Sequence, residues 1–454
     1  MASSPSLPIY LFTFNCARLL ITPSIVANHL FSALDPSSPP PEIIAIGLQE
    51  VSPISYGFLG GEYLSPYLDQ WSSVPHLASQ SLHSINSKFP AEYVELGRHT
   101  VGMTALFIFS RRPERVKTLR FGAVGFGVWG MGNKGGVAAK FGYSTAGEDG
   151  LESINEDINV TIVATHLAAH EHCCSDRNKD WETLVRGIVF ETATQTAPVI
   201  TINSESTPLL AGNTADSSSL SGIYHPGSHL LVMGDLNYRT SHISPTPKDF
   251  QTFPRGTDHF LDFFKRDQLT RERTAGNTLH GLTEAPITFP PTYKYLEDVL
   301  SLLGDPEGGD KRSKSHEDVF DWSPNRWPSW CDRILWLPVL QSSLKAGEEG
   351  IKVHKYTSIP AIRFSDHKPV GLHISLPVIR SIKTVGGDGS DIDLRENPPF
   401  PIDQDWKVKR YNAEVKEWVV GYVILMATTG NGLAAVGCAI LGAGMLWWAV
   451  TGKL

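Results

Sequence analysis

Cysteine is scarce. Cys16, Cys173, Cys174, Cys331 and Cys438 are odd in number and show no paired metal-ligand spacing, which argues against a disulfide framework and suits a reducing compartment. Excess positive charge is absent as well: the 454 residues carry a formal net charge of -8. Whole-surface attraction to nucleic acid or anionic lipid is therefore excluded, and any anionic ligand must be met by a local basic site. The N-terminus, MASSPSLPIYLFTFN, lacks a basic stretch followed by a long apolar core, so no secretory signal is expected. The fourth absence lies near the other end, where Val419 to Val450 contains no Asp, Glu, Lys, Arg or His. Roughly 20 apolar residues cross the hydrocarbon core of a bilayer, whereas a buried core helix usually shows runs of about 10 to 14. This run is expected to span a membrane, with Trp447 and Trp448 at the far interface. Lys407, Lys409, Arg410 and Lys416 precede it and only Lys453 follows, which predicts that the large N-terminal part lies in the cytosol. Gly430, Asn431 and Gly432 interrupt the run, leaving two candidate starts, Val419 and Gly432.

What is present is globular: 41% hydrophobic and 19% charged residues, enough chain for one large or two ordinary domains. Runs rich in Val, Ile and Phe predict strands at Ile9 to Phe14, Ile43 to Leu48, Thr104 to Phe109, Val137 to Phe141, Val160 to Thr165, Leu230 to Met233 and Arg333 to Leu337. Helical patterns over Asp176 to Phe190 and Asp258 to Leu269 make the class α/β. Thr192 to Ser228 and Gly304 to Glu317 read as surface insertions. The expected organisation is a globular domain over 1–376, a linker and juxtamembrane segment over 377–418 with a coil span of about 35 Å, and a transmembrane tail anchor over 419–450.

Polar residues stand where strands stop: Asn15 after IYLFTF, Gln49 and Glu50 after IIAIGL, His166 after TIVAT, Asp235 and Asn237 after LLVMG, and Asp366 with His367 further on. Loops at strand ends commonly build sites in sheet proteins. Carboxylates, amides and imidazoles without a cysteine cluster favour a hard, oxygen-liganded cation, of which Mg²⁺ is the natural candidate. Singly, each residue has an ordinary structural explanation as a turn cap or a satisfied core side chain. Asp332 has one too, a salt bridge to a cation such as its neighbour Arg333.

Together the motifs resemble the inositol polyphosphate 5-phosphatase family, within the exonuclease, endonuclease and phosphatase superfamily, over roughly Ile9 to Leu376. The residues are GLQE (Gly47 to Glu50), GNKGG (Gly132 to Gly136), THLAAH (Thr165 to His170), RNKDW (Arg177 to Trp181), GDLNYR (Gly234 to Arg239), PPTYK (Pro290 to Lys294), PSWCDRIL (Pro328 to Leu335) and SDHKPV (Ser365 to Val370). PPTYK and PSWCDRIL are similar to the 5-phosphatases in particular. The resemblance implies a four-layer sandwich of two packed mixed β-sheets flanked by helices, with one C-terminal transmembrane helix added. It implies that Glu50, helped by Asn15 and Asp366, holds Mg²⁺ on the phosphate oxygens. Asp235 would orient and deprotonate the attacking water, Asn237 would position it, and His166 and His367 would donate to the phosphoryl group, with Asp332 fixing His367. Tyr293, Lys294 and Arg326 would grip a neighbouring 4-phosphate, and Lys134 would face another phosphate.

The segment FGVWGMGNKGG places Phe126, Val128, Trp129 and Met131 among glycines, a composition expected of a membrane-dipping loop. The expected partners are a phosphoinositide lipid substrate and a membrane, with no nucleic acid and no obligate protein partner. The expected reaction is removal of the 5-phosphate of phosphatidylinositol 4,5-bisphosphate to give phosphatidylinositol 4-phosphate. Alternatives are hydrolysis of soluble inositol polyphosphates and a catalytically inactive lipid-binding tether. By resemblance to short, tail-anchored fungal members of the family, the endoplasmic reticulum is the expected membrane, with the catalytic domain cytosolic.

Overall fold

The computed structural model describes residues 5–85, 89, 92–145, 157–191, 220–298, 321–345, 347–380 and 393–430, with scattered positions from 432 to 443. In chain order the strands are β1 (Ser6–Asn15), β2 (Ile43–Gln49), β3 (Val94–Val101), β4 (Thr104–Ser110), β5 (Val116–Gly125), β6 (Gly135–Ser144) and β7 (Asp157–His166). They continue with the short β8 (Phe190–Glu191) and β9 (Leu220–Ser221), then β10 (Ser228–Asp235), β11 (Asp332–Trp336), β12 (Lys352–Ser358) and β13 (Val370–Pro377). The helices are α1 (Pro23–Leu30), α2 (Ile54–Leu59), α3 (Gly61–Ile85), α4 (Cys174–Gly187), α5 (Thr257–Phe264), α6 (Gln268–Thr274) and α7 (Trp406–Thr428).

Two sheets carry the fold, one ordered β12-β13-β1-β2-β4-β3 and the other β11-β10-β7-β6-β5. Each is mixed, because β1 runs parallel to β2 and β10 parallel to β7 while their other neighbours are antiparallel. The period-2 alternation of each strand sorts its side chains between layers. Leu7, Ile9 and Leu11 of β1 meet Val160, Ile162 and Leu231 between the sheets. Tyr10, Phe12 and Phe14 turn outward to Trp71 of α3 and Val26 of α1. On the far side Val163, Leu230 and Val232 pack with Trp181 and Leu184 of α4. Helix, sheet, sheet and helix therefore form the four layers expected. The sheets approach closely at Gly47, where a Cβ would lie 2.8 Å from the Met233 Cε.

All seven predicted strands are present. The helical pattern at Asp258 to Leu269 divides into α5 and α6, separated by a turn at Lys265–Asp267. The predicted insertions fall mostly on 192–219 and 299–320, outside the described residues.

The expected linker is corrected. After β13 the chain is described again from residue 393, and it is docked on the body rather than extended. Arg395 is buried and donates to the carbonyl oxygens of Ser228 (3.0 Å), Leu337 (3.0 Å) and Pro338 (2.8 Å). The Asp403 N–H bonds the Arg186 carbonyl, and α7 then packs on α2. α7 runs to Thr428, so Val419 to Thr428 belongs to a helix resting on the body, where Gly421 abuts Phe58 and Leu59. Among the described residues no helix is long and apolar enough to cross a membrane; the rest of the charge-free run lies largely outside them.

Candidate active site

The topology gathers the strand-end residues. Asn15 lies opposite Gln49 in the β1–β2 register, and Asp235 lies opposite His166 in one neighbour and Asp332 in the other. Parallel neighbours put their carboxyl ends side by side, which is where open α/β sheets form their sites. With β1 packed against β10 across the sandwich, both parallel pairs end at the same rim.

Asp235 is the hub. One carboxylate oxygen, Oδ2, accepts from the Asn15 amide at 3.0 Å and stands 3.2 Å from His166 Nε2 and 3.8 Å from His367 Nε2. The other, Oδ1, accepts from the Asn237 N–H at 3.1 Å. Burial pushes this carboxyl up, but His367, His166 and Lys134 outweigh it and hold it well below the ordinary carboxylate range. The backbone is shaped for this: a Cβ on Gly234 (φ 153°) would lie 1.9 Å from the Thr165 carbonyl oxygen. Asn237 (φ 57°) and Glu50 (φ 46°) sit in the left-handed region, a strained conformation common at functional sites.

Behind the hub, the His367 Nδ1 meets Asp332 Oδ2 at 2.9 Å, an oxygen that also accepts from the Thr292 hydroxyl at 2.7 Å. Ser365 ties this loop to β1, its hydroxyl donating to the Asn15 carbonyl and accepting from the His367 N–H. Burial lowers the His367 imidazole, yet Asp332 and Asp235 outweigh it and hold it above its ordinary value. The cation that Asp332 meets is His367 and not its neighbour Arg333, which pairs instead with Asp267 and Glu284.

Asp235, Asp332 and His367 also bring potential metal-ligand atoms within 4.8 Å of one another. An imidazole held protonated between two carboxylates is a hydrogen-bond donor, so ion pairing accounts for this triplet. Glu50 and Asn15 are better suited to a hard cation. Burial raises the Glu50 carboxyl, but His166, Lys134 and Arg18 outweigh it and keep it ionised. The Asn15 side-chain oxygen accepts from the Ala17 N–H at 3.1 Å. These oxygen donors fit Mg²⁺.

The remaining predicted residues are placed less uniformly. Lys134 contacts His166, and burial lowers its ammonium despite Asp235 and Glu50. Asp366 is ion-paired with Lys294 at 2.8 Å, so an expected metal helper and an expected phosphate ligand hold each other. Tyr293 is buried, its ring 4.5 Å from His367 and 4.2 Å beneath the Arg239 guanidinium. Arg326 lies apart from them, beside His170 (3.4 Å) and Glu171 (3.8 Å). In the glycine-rich loop Val128 and Trp129 are exposed, Trp129 by 71%, and Phe126 is half-buried. Met131 is corrected: it is 5% exposed, because the turn at Val128–Gly130 reverses the chain and returns it inward.

Sequence reasoning missed Arg239, buried two residues after Asn237 and contacting both its backbone and its side-chain oxygen. It also missed Thr292 and Ser365. All three stand inside quoted motifs, and only the fold shows that their side chains turn inward.

The family model described as Endonuclease/Exonuclease/phosphatase family 2 matches residues 12–373. This chain belongs to that family. Within it the chain falls among the inositol polyphosphate 5-phosphatases. It is 27% identical over 376 residues to the mouse type II inositol 1,4,5-trisphosphate 5-phosphatase, covering 80% of this chain and 30% of that protein. It is also 27% identical over 332 residues to the Saccharomyces cerevisiae polyphosphatidylinositol phosphatase INP53, covering 73% of this chain and 23% of that one. The chain thus spans about a third or less of the length of these curated relatives. Among solved structures it resembles the inositol polyphosphate 5-phosphatase domain of SPsynaptojanin, solved with inositol (1,4)-bisphosphate and calcium. There the TM-score is 0.55 at 21% identity, covering 90% of each chain, and the likeness bears on the fold.

Proposed function

We propose that this 5-phosphatase hydrolyses the 5-phosphate of phosphatidylinositol 4,5-bisphosphate, giving phosphatidylinositol 4-phosphate. The observation that carries the reading is the buried set of Asp332, His367, Asp235 and His166, which pairs one ionised carboxylate with two imidazoles at a rim of strand ends. Asp235 accepts a hydrogen bond from the attacking water and aims its lone pair at phosphorus, with Asn237 holding the carboxylate. The water's proton passes to Asp235 as the bond to phosphorus forms, while the bond to the 5-oxygen breaks and the inositol oxygen takes a proton from solvent. His367, kept protonated by Asp332, and His166 donate to the phosphoryl oxygens as their charge develops. Glu50 and Asn15 would hold Mg²⁺, which when bound would supply Lewis acidity at the reacting phosphate.

The neighbouring 4-phosphate is met by Lys294 and Tyr293, and Arg326 turns from His170 and Glu171 to join them. Lys294 leaves Asp366 for the phosphate, exchanging one anionic partner for another. The C-terminal run from Gly432 to Val450 is the membrane anchor, its length of about 28 Å at 1.5 Å per residue matching a bilayer core. The membrane is the endoplasmic reticulum and the catalytic body faces the cytosol.

Phosphate release from a panel of phosphoinositides in liposomes, with and without Mg²⁺, tests this directly. The expected result is Mg²⁺-dependent release, greatest from the 4,5-bisphosphate and ending at the 4-phosphate. Faster release from the soluble headgroup favours the inositol polyphosphate reading; tight binding without release favours a tether. Imaging of a fluorescent fusion, with and without residues 432–454, tests the anchor.

A further inference from the structure

α7 presents its faces in an unusual order. Val408, Val415, Trp418 and Val423 are exposed, whereas Ala413, Glu417 and Gly421 face the body. A carboxylate in such an interface is costly unless it is paired and hydrogen-bonded. Glu417, 4% exposed, meets both conditions. Its Oε1 accepts from Arg410 of the same helix at 3.0 Å and from the backbone N–H of Gly132 at 2.7 Å. The first contact needs only the helix. The second reaches the glycine-rich loop.

Gly132 has little freedom. A Cβ there would lie 2.6 Å from the Gly102 nitrogen, and its carbonyl accepts from the Met103 N–H at 3.3 Å. The Met103 carbonyl in turn accepts from the N–H of Val51, the residue after Glu50, at 3.1 Å. On the other side, two residues further on, Lys134 contacts His166, and its carbonyl accepts from Phe126 (3.0 Å) and Gly127 (3.1 Å). The Gly132 peptide therefore lies between the backbone that places Glu50 and the backbone that places Lys134. Glu417 holds its N–H, and Lys416 holds the same loop through the Trp129 carbonyl at 3.3 Å.

We propose that Glu417 is a positioning residue for the hydrolytic site: from the C-terminal helix it fixes the Gly132 peptide, and with it the placement of Lys134 and Glu50. The inference rests on the reading of Lys134 and Glu50 as site residues. It makes α7 part of the catalytic scaffold, so the helix leading toward the apolar tail sets the geometry of the reacting end.

The test uses the full chain in detergent with the soluble headgroup inositol 1,4,5-trisphosphate, so that seating on a membrane does not enter. In Glu417→Ala, amide exchange over 127–134 is expected to quicken at least about 10-fold while other sheet amides keep their protection. Its kcat is expected to fall about 10-fold with KM changed less than about 2-fold. Glu417→Gln keeps an acceptor for the Gly132 N–H and is expected to recover kcat to within about 3-fold of wild type. Val408→Ser, on the outer face, leaves exchange over 127–134 as in wild type. Unchanged exchange in Glu417→Ala overturns the proposal. So does a Glu417→Gln variant as impaired as Glu417→Ala with both unfolding earlier, which assigns Glu417 to stability alone. If wild type itself releases no phosphate, the functional reading fails, and the exchange comparison still decides whether Glu417 holds the loop.

Discussion

The strand-end site and the C-terminal strap of residues 393–428 are secured in opposite ways. In the site, His166, Asp235 and Asp332 occupy adjacent register positions in one sheet and Asn15 ends a strand of the other, so the backbone ladders that build the sheets also place these residues. The strap crosses the finished body and joins no described strand pairing. It is held by contacts made far along the sequence, Arg395 on three backbone carbonyls, Glu417 on Gly132 and α7 on α2. The contrast separates two kinds of dependence: the strand-end residues rest on backbone ladders, while the strap rests on side-chain contacts and helix packing, of which Glu417 reaches toward the site and Arg395 does not.

Substitutions at Asp235 and Asp332 on one side and at Arg395 on the other are therefore expected to part activity from stability. The largest effect belongs to Asp235→Ala, with kcat reduced about 10³-fold and a melting temperature close to wild type. Phosphate release and a thermal melt on the same sample check this; retained release would place the water's acceptor elsewhere. Asp332→Asn should cost about 10²-fold in kcat with little change in KM, because it weakens the pairing that keeps His367 protonated. Steady-state kinetics reads the split, and an equal rise in KM would make Asp332 a binding residue instead.

At Arg395, which meets the end of β10 opposite Asp235, the order reverses. Arg395→Met leaves the carbonyl oxygens of Ser228, Leu337 and Pro338, the first two buried, short of a donor and should lower stability by about 2 kcal/mol while kcat at low temperature stays at the wild-type level. Denaturant titration beside an activity assay decides it, and a matching loss of kcat would erase the division between the regions. At pH 7 the smallest effect is expected at His229, which lies one residue from Ser228 and contacts the Pro377 carbonyl at 2.7 Å. Burial, opposed by that carbonyl and reinforced by Arg395, holds its imidazole down to about 3. The unfolded chain takes up this proton near its ordinary value of about 6.5. Stability is thus kept above that pH and lost as pH falls from 6.5 toward 3, by up to about 1.4 kcal/mol per pH unit. His229→Gln should flatten that slope, measured by urea unfolding at pH 7 and pH 5.

The same contrast explains what could be read beforehand. Central strands such as β1, β2, β7 and β10 are apolar on both faces and end in conspicuous polar residues, so strand and site residue announce each other. Of the four sheet edges β3, β5 and β12 went unread, because an edge carries polar side chains such as those of VELGRHTV and KVHKYTS and loses its periodicity. Asp366 and Lys294 were assigned to separate tasks, since no spacing shows that residues so far apart in the chain form one pair. The strap read as a linker for a related reason. Its composition is that of GGDGSD and NPPFP, and its docking depends on where Arg395, Gly421 and Glu417 find partners.

The buried guanidinium of Arg395 also bears on how the chain can be divided. A cut at Leu376, where composition suggests the domain ends, would remove it along with α7 and leave Phe58 and Leu59 without the helix that meets them. The smallest excisable unit then extends to Thr428. A protease acting between residues 381 and 392 would produce a nicked protein whose two pieces stay together until denatured.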